Sequence, residues 1–121
     1  MKRAQSMIAL ALAIGLSACG PEEATDAAAA ARQASLQALS AIRHALGDSF
    51  ERLQGIAQVT VYVAAAPGFV DHPQVANGAS EVLVEILGEE GAHARAAVGM
   101  ASLPLGSCVE VAVVASLTGS D

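Results

Sequence analysis

The chain has 121 residues, enough for one domain; 54% of its side chains are hydrophobic but only 2% aromatic, so its core must be built from Ala, Val and Leu. Such a core buries less area per residue than one with Phe or Trp, and a second subunit is expected to complete it. The net charge of −6, with six basic residues and no basic cluster beyond the extreme N-terminus, gives nucleic-acid binding little electrostatic support.

Lys2 and Arg3 precede an apolar run of ten residues, Met7 to Leu16. A bilayer span takes ~20 residues, so the run fits the apolar region of a secretory signal better than a membrane helix. Leu16-Ser17-Ala18-Cys19 then looks like a bacterial lipobox. Residues 1–19 are therefore expected to be a lipoprotein-like signal, with Cys19 the lipidated residue and anchoring to a membrane through it. Gly20 rather than Asp after that cysteine resembles the outer-membrane pattern. The competing reading is a buried N-terminal helix with an incidental cysteine. The envelope is the expected location if the signal is used, and the cytoplasm if this N-terminus is an artefact.

From about Glu22 to Leu46 the spacing of Ala28, Ala31, Leu36, Leu39, Ile42 and Leu46 predicts a helix, rich in the best helix former and ending at Gly47. "GIAQVTVYVAAA" reads as a strand in which Ala57, Val59, Val61 and Val63 form the aliphatic face. The loop "APGFVDHP" leads to a second helix over about Pro73–Leu87, with Asp71 as N-cap, Val75, Ala79, Val82, Leu83 and Ile86 as its apolar stripe, and Gly88 as its end. "RAAVGMAS" is a weak strand and "SCVEVAVVASL" a strong one, apolar on both faces and hence central. The order α-β-α-β-β predicts an α+β sandwich, with helices on one side of a sheet and another subunit on the other.

Arg95 and Glu110 carry the only full charges between His93 and Val111. A lone buried carboxylate is costly, so Glu110 must be paired, protonated or at a water-filled edge. On the bland reading Arg95 caps a surface loop and Glu110 pairs with a neighbouring chain. On the sharp reading Arg95 grips a substrate carboxylate, for which its planar fork is suited, and Glu110 orients a water in the same pocket. His44, His72 and His93 lack metal-ligand spacing, and there is no CxxC, HExxH, GxSxG or phosphate-binding glycine loop. The two cysteines, Cys19 and Cys108, make no disulfide framework, and Cys108 reads as a small buried apolar residue rather than a nucleophile.

"QVTVYVAAAPGFVDHPQVANGASEVLVEILGE" and "HARAAVGMASLPLGSCVEV" together resemble the Rid family, also known as YjgF or L-PSP. The family signature A-R-x-x-V-x-V-x-x-L-P is met by Ala94, Arg95, Val98, Leu103 and Pro104, with Met100 for the second Val. Glu110 falls on the glutamate of the following strand, whose second acidic position is Ala112 here. "VYVAAAPGF" is similar to a subgroup with V-A-S-A-P-G-F, Ala65 standing for the Ser. The similarity runs roughly from Glu22 to Leu117, which sets the expected domain at 22–118.

The resemblance implies a chorismate-mutase-like α+β fold with two helices on one face of the sheet, a homotrimer with active sites between subunits, and no metal or organic cofactor. It also implies hydrolysis of reactive enamines and imines to ketoacid and ammonia, Arg95 binding the substrate carboxylate and Glu110 positioning the attacking water. Some members are reported to cleave RNA. The family's two or three N-terminal strands have no counterpart ahead of the helix, so the expected domain is shortened and has an open sheet edge. A fusion or misassigned start, or residues 7–18 serving as a substitute element, are alternatives, the last the least favoured. The other functional expectation is a non-enzymatic, membrane-anchored lipoprotein that binds small ligands or partners.

Overall fold

A computed structural model of the chain describes residues 7–14 and 24–119. The elements are β1 (Met7–Ile14), α1 (Ala24–Ala45), β2 (Leu53–Ala64), α2 (His72–Leu87), β3 (Ala94–Met100) and β4 (Val109–Leu117). The strands form one sheet in the order β1-β4-β2-β3. β4 runs antiparallel to both its neighbours, whereas β2 and β3 are parallel, with α2 as the crossover between them. This is the expected α+β architecture, and β4, apolar on both faces, is an inner strand as its pattern required.

Both helices pack on one face of the sheet. Val59, Val61 and Val63 of β2 and Val109, Val111 and Val113 of β4 face them and are fully buried. The stripe of α1 is richer in alanine than in leucine: Ala27, Ala31, Ala34, Ala38 and Ile42 are the residues it buries most completely. Small side chains let α1 and α2 approach closely. At Gly78 even a methyl group would overlap the backbone carbonyl of Ala28. One residue further on, the buried Ser35 hydroxyl donates to the carbonyl of Ala79 at 2.9 Å, tying the helices together.

Several expectations need correction. Residues 7–14, assigned above to the signal segment, pair with β4 from Met7↔Ser116 to Ile14↔Val109. The sheet therefore has a strand ahead of α1, and β4 has its outer backbone N–H and C=O groups satisfied rather than exposed. A run that is apolar throughout suits an inner or edge strand of such a sheet as well as it suits a signal. Cys19 lies outside the described residues.

On β2 the register slips between Ile56 and Gln58, so Ile56 is buried and Ala57 is turned out. Ile86, assigned to the stripe of α2, is 49% exposed, and Ala76 takes a place in the buried set instead. Asp71 does precede α2, but its side chain makes no capping bond; its backbone carbonyl accepts from the N–H groups of Gln74 and Val75.

Candidate functional site

Arg95 stands opposite Val59 across the β2–β3 ladder, and Glu110 stands opposite Tyr62 across the β2–β4 ladder. Residues opposite each other share a face, and successive residues alternate between faces. Val59 and Tyr62 are an odd number of residues apart in a stretch of unbroken register, so they point to opposite sides. Arg95 is thus on the helix side of the sheet, at its β3 edge, and Glu110 is on the open side. The two charges expected to share a pocket do not meet within one chain.

Glu110 lines a recess of about 300 Å³ with Tyr62, Met100, Ser102, Leu103, Pro104 and Ala112. The turn Leu103–Ser107 builds its rim. There Leu105 takes a left-handed conformation (φ 57°) and is 99% exposed, while Ser107 closes the turn by donating to the carbonyl of Pro104. Glu110 thus lies at the edge of an open recess rather than sealed in the core. It is half-buried, and no ion pair or side-chain hydrogen bond joins it to another described residue. Around the recess the open face is apolar but uncovered in the single chain, with Val98 39% and Met100 38% exposed.

Arg95 is exposed and lies against α2. Its Nη1 donates to Asn77 Oδ1 at 2.7 Å and to Ser80 Oγ at 3.4 Å. No carboxylate among the described residues pairs with it, so part of the guanidinium fork is open to an anion. Ser80 in turn lies 2.9 Å from His93 Nε2, and His93 Nδ1 lies 2.6 Å from the carbonyl oxygen of Gly91. Sequence reasoning passed over Asn77 and Ser80 and set His93 aside as a loop residue. A signal was present in the pattern: Asn77 and Ser80 are three apart, hence neighbours on one helix face, and His93 and Arg95 are two apart at a strand start, hence on one side.

The other candidates stand apart from both places. His44 is exposed at the end of α1 and faces Asp48 at 3.3 Å. His72 packs edge-on against Phe69 and lies over Gly99, whose missing side chain makes room for it. Cys108 is 4% exposed, as a small buried residue should be, but against expectation it is disulfide-bonded, so it offers no thiolate nucleophile. Among the described residues no three His, Cys, Asp or Glu side chains are grouped as metal ligands.

Comparison with known proteins gives the frame for these groups. Residues 16–117 match the family model described as "YjgF/chorismate mutase-like, putative endoribonuclease". Protein TCP17 of Trypanosoma cruzi is 44% identical over 94 residues, which cover 77% of this chain and 58% of that protein. The crystal structure of Atu1372 from Agrobacterium tumefaciens, a protein of unknown function, superposes with a TM-score of 0.76 at 36% identity, over 78% of this chain and 60% of that one. A "putative endoribonuclease" from Shewanella oneidensis gives a TM-score of 0.78 at 28% identity, over 84% and 68%. This chain thus spans about 60% of the length of two of these relatives.

Proposed function

This chain belongs to the YjgF/chorismate mutase-like family, and from that premise we propose that it hydrolyses small carboxylate-bearing imines and enamines to ketoacid and ammonia, in clefts between the subunits of a homotrimer. The observation that carries the reading is the placement of Arg95 and Glu110 on opposite faces of one sheet, neither with a charge partner among the described residues. A cleft holding both must be shared by two copies, Arg95 at the β3 edge of one against the open face of the next. The uncovered Val98 and Met100 beside the recess supply apolar area for that junction.

The chemistry follows from the two side chains. The guanidinium of Arg95 takes the substrate carboxylate and fixes the C=N group over the partner's recess. Glu110 of the partner subunit accepts a proton from water as the water oxygen bonds to the imine carbon, and the C=N electron pair moves to nitrogen. Glu110 returns that proton to the nitrogen to give the carbinolamine; transfer of the carbinolamine hydroxyl proton to the nitrogen, again through Glu110, then lets the C–N bond break, forming the ketone and expelling ammonia. An enamine enters the same path after tautomerising to the imine.

Ketoacid release from an enzymatically generated iminoacid tests this. Loss of a charge-assisted bidentate contact in Arg95→Ala should lower kcat/KM by roughly 10- to 100-fold, and Glu110→Gln should lower kcat by roughly 10²–10⁴-fold. Equal rates for the wild type and Arg95→Ala would end the proposal. RNA cleavage, the activity in the family's description, is disfavoured by the net charge of −6. An RNA-cleaving chain without ketoacid release would replace the proposal with that reading.

Anchoring through Cys19 is a separate proposal, resting on Lys2, Arg3 and the lipobox-like Leu16–Cys19; a thioether there would leave the chain no second cysteine for the disulfide of Cys108, so the two are alternatives. Processing at Cys19 would remove β1 and leave β4 with a bare edge. Labelling of cells with a fatty-acid analogue decides it: label that disappears in Cys19→Ser supports the anchor, and an unlabelled wild type removes it.

A further inference from the structure

We propose that Ser80 and His93 form a nucleophile–base pair, able to take an acyl group from small esters that carry a carboxylate. The partners of the imidazole set its tautomer in the neutral ring. A carbonyl oxygen only accepts, so His93 Nδ1, 2.6 Å from the Gly91 oxygen, holds the imidazole proton. In the neutral ring Nε2 then has a free lone pair, and Ser80 Oγ, at 2.9 Å, donates into it. Nucleophile, base and orienting acceptor thus stand in line, with a backbone carbonyl where many hydrolases have a carboxylate.

The pair is held by the fold rather than by its own bonds. Gly91 sits so closely beneath α2 that a Cβ there would overlap the carbonyl of Leu83, which fixes the orienting acceptor against the helix that carries Ser80. Ser80 and His93 are both half-buried, screened from bulk water but reachable. On one side of the hydroxyl lies Arg95, its Nη1 3.4 Å from Oγ, a cation that favours an alkoxide and an anionic substrate group. A recess of about 420 Å³ adjoins Ser80 and is lined also by Glu81, Val84 and Glu85. Glu85 there is paired with Arg32 at 3.0 Å, so Glu81 is the carboxylate that turns an anionic substrate group toward Arg95, and Val84 is left for an apolar leaving group.

In the acyl-transfer step Ser80 Oγ bonds to the ester carbonyl carbon, and its proton passes to His93 Nε2. The C–O bond to the leaving group then breaks, and His93 returns the proton to the departing oxygen. Water attacks the acyl-serine with His93 again as base, releasing the acid and restoring the hydroxyl. The step makes no use of Glu110 and does not rest on imine hydrolysis, so either activity can fail while the other stands.

Incubation with phenylmethanesulfonyl fluoride followed by peptide mass spectrometry is the primary test. A sulfonyl adduct is expected on Ser80, with fluoride released; it should be absent in Ser80→Ala and form at least tenfold more slowly in His93→Gln, both variants retaining the wild-type circular dichroism spectrum and melting behaviour. The p-nitrophenyl monoester of succinate should be cleaved faster than p-nitrophenyl acetate by the wild type, and this preference should vanish in Arg95→Ala. An unmodified Ser80, or labelling at an equal rate in folded His93→Gln, overturns the proposal. Should either variant fail to fold, labelling of the wild type alone decides: a sulfonyl adduct that forms elsewhere and not on Ser80 overturns it.

Discussion

The two faces of the sheet share the same strands but obey different constraints. On the helix side, β2 and β4 present six valines with no exposed surface, sealed by two helices that approach to backbone contact at Gly78. On the open side the same strands carry Gln58, Thr60, Tyr62, Glu110, Ala112 and Val114, exposed or half-buried around a recess. The sealed face is finished within one chain and tolerates no added or missing methyl group. The open face holds a carboxylate without a charge partner and apolar area without a cover, which is the character of a surface that awaits something else. Polar groups with chemistry lie where the sealing stops, at the β3 edge beside α2 and in the recess.

The largest expected effect of a single change sharpens this contrast from the sealed side. Gly78→Ala places a methyl group into the Ala28 carbonyl and must push α1 away from α2; it should cost on the order of 3 kcal/mol in denaturant unfolding. A smaller effect compares the faces directly. Val111→Ala removes two methyl groups from a fully buried site and should cost about 2 kcal/mol, whereas Val114→Ala on the same strand, half-buried and facing out, should cost about half as much or less. Equal costs, measured at a concentration where the chain is monomeric, would break the comparison. The smallest effect on folding is expected for Met100→Lys at the rim of the recess, within about 0.5 kcal/mol. Its consequence should instead be seen in sedimentation, as a shift of any wild-type oligomer toward monomer; an unmoved oligomer would show that the open face is not the junction between copies.

Much of this architecture is legible in the order of the residues. The 3.6-residue period of α1 and α2, the alternation of β2 and the doubly apolar β4 all appear within a few residues of their expected places, because each signal is local. Ile86 and Ala57 depart from the expected pattern for reasons that periodicity does not contain. The last turn of α2 packs on the core through Leu87, which leaves Ile86 turned out, and a register slip in β2 exchanges Ala57 for Ile56. Met7–Ile14 carries a pattern that suits both a signal and a strand, and only the exposed edge of β4 chooses between them. The Ser80–His93–Gly91 line is less visible still, because its members are drawn from a helix, a loop and a tight turn.

By itself the amino-acid sequence determined the types of the elements from α1 to β4, most of the apolar stripe that each buries, and the family to which the A-R-x-x-V…L-P motif belongs, since all of these depend on residues close together in the chain. Only the tertiary structure decided that β3 runs parallel to β2 and that Arg95 and Glu110 face opposite ways. The reason is geometric. Alternation along a strand settles which residues share a side, but which side is sealed depends on pairings between segments dozens of residues apart and on where the helices come down.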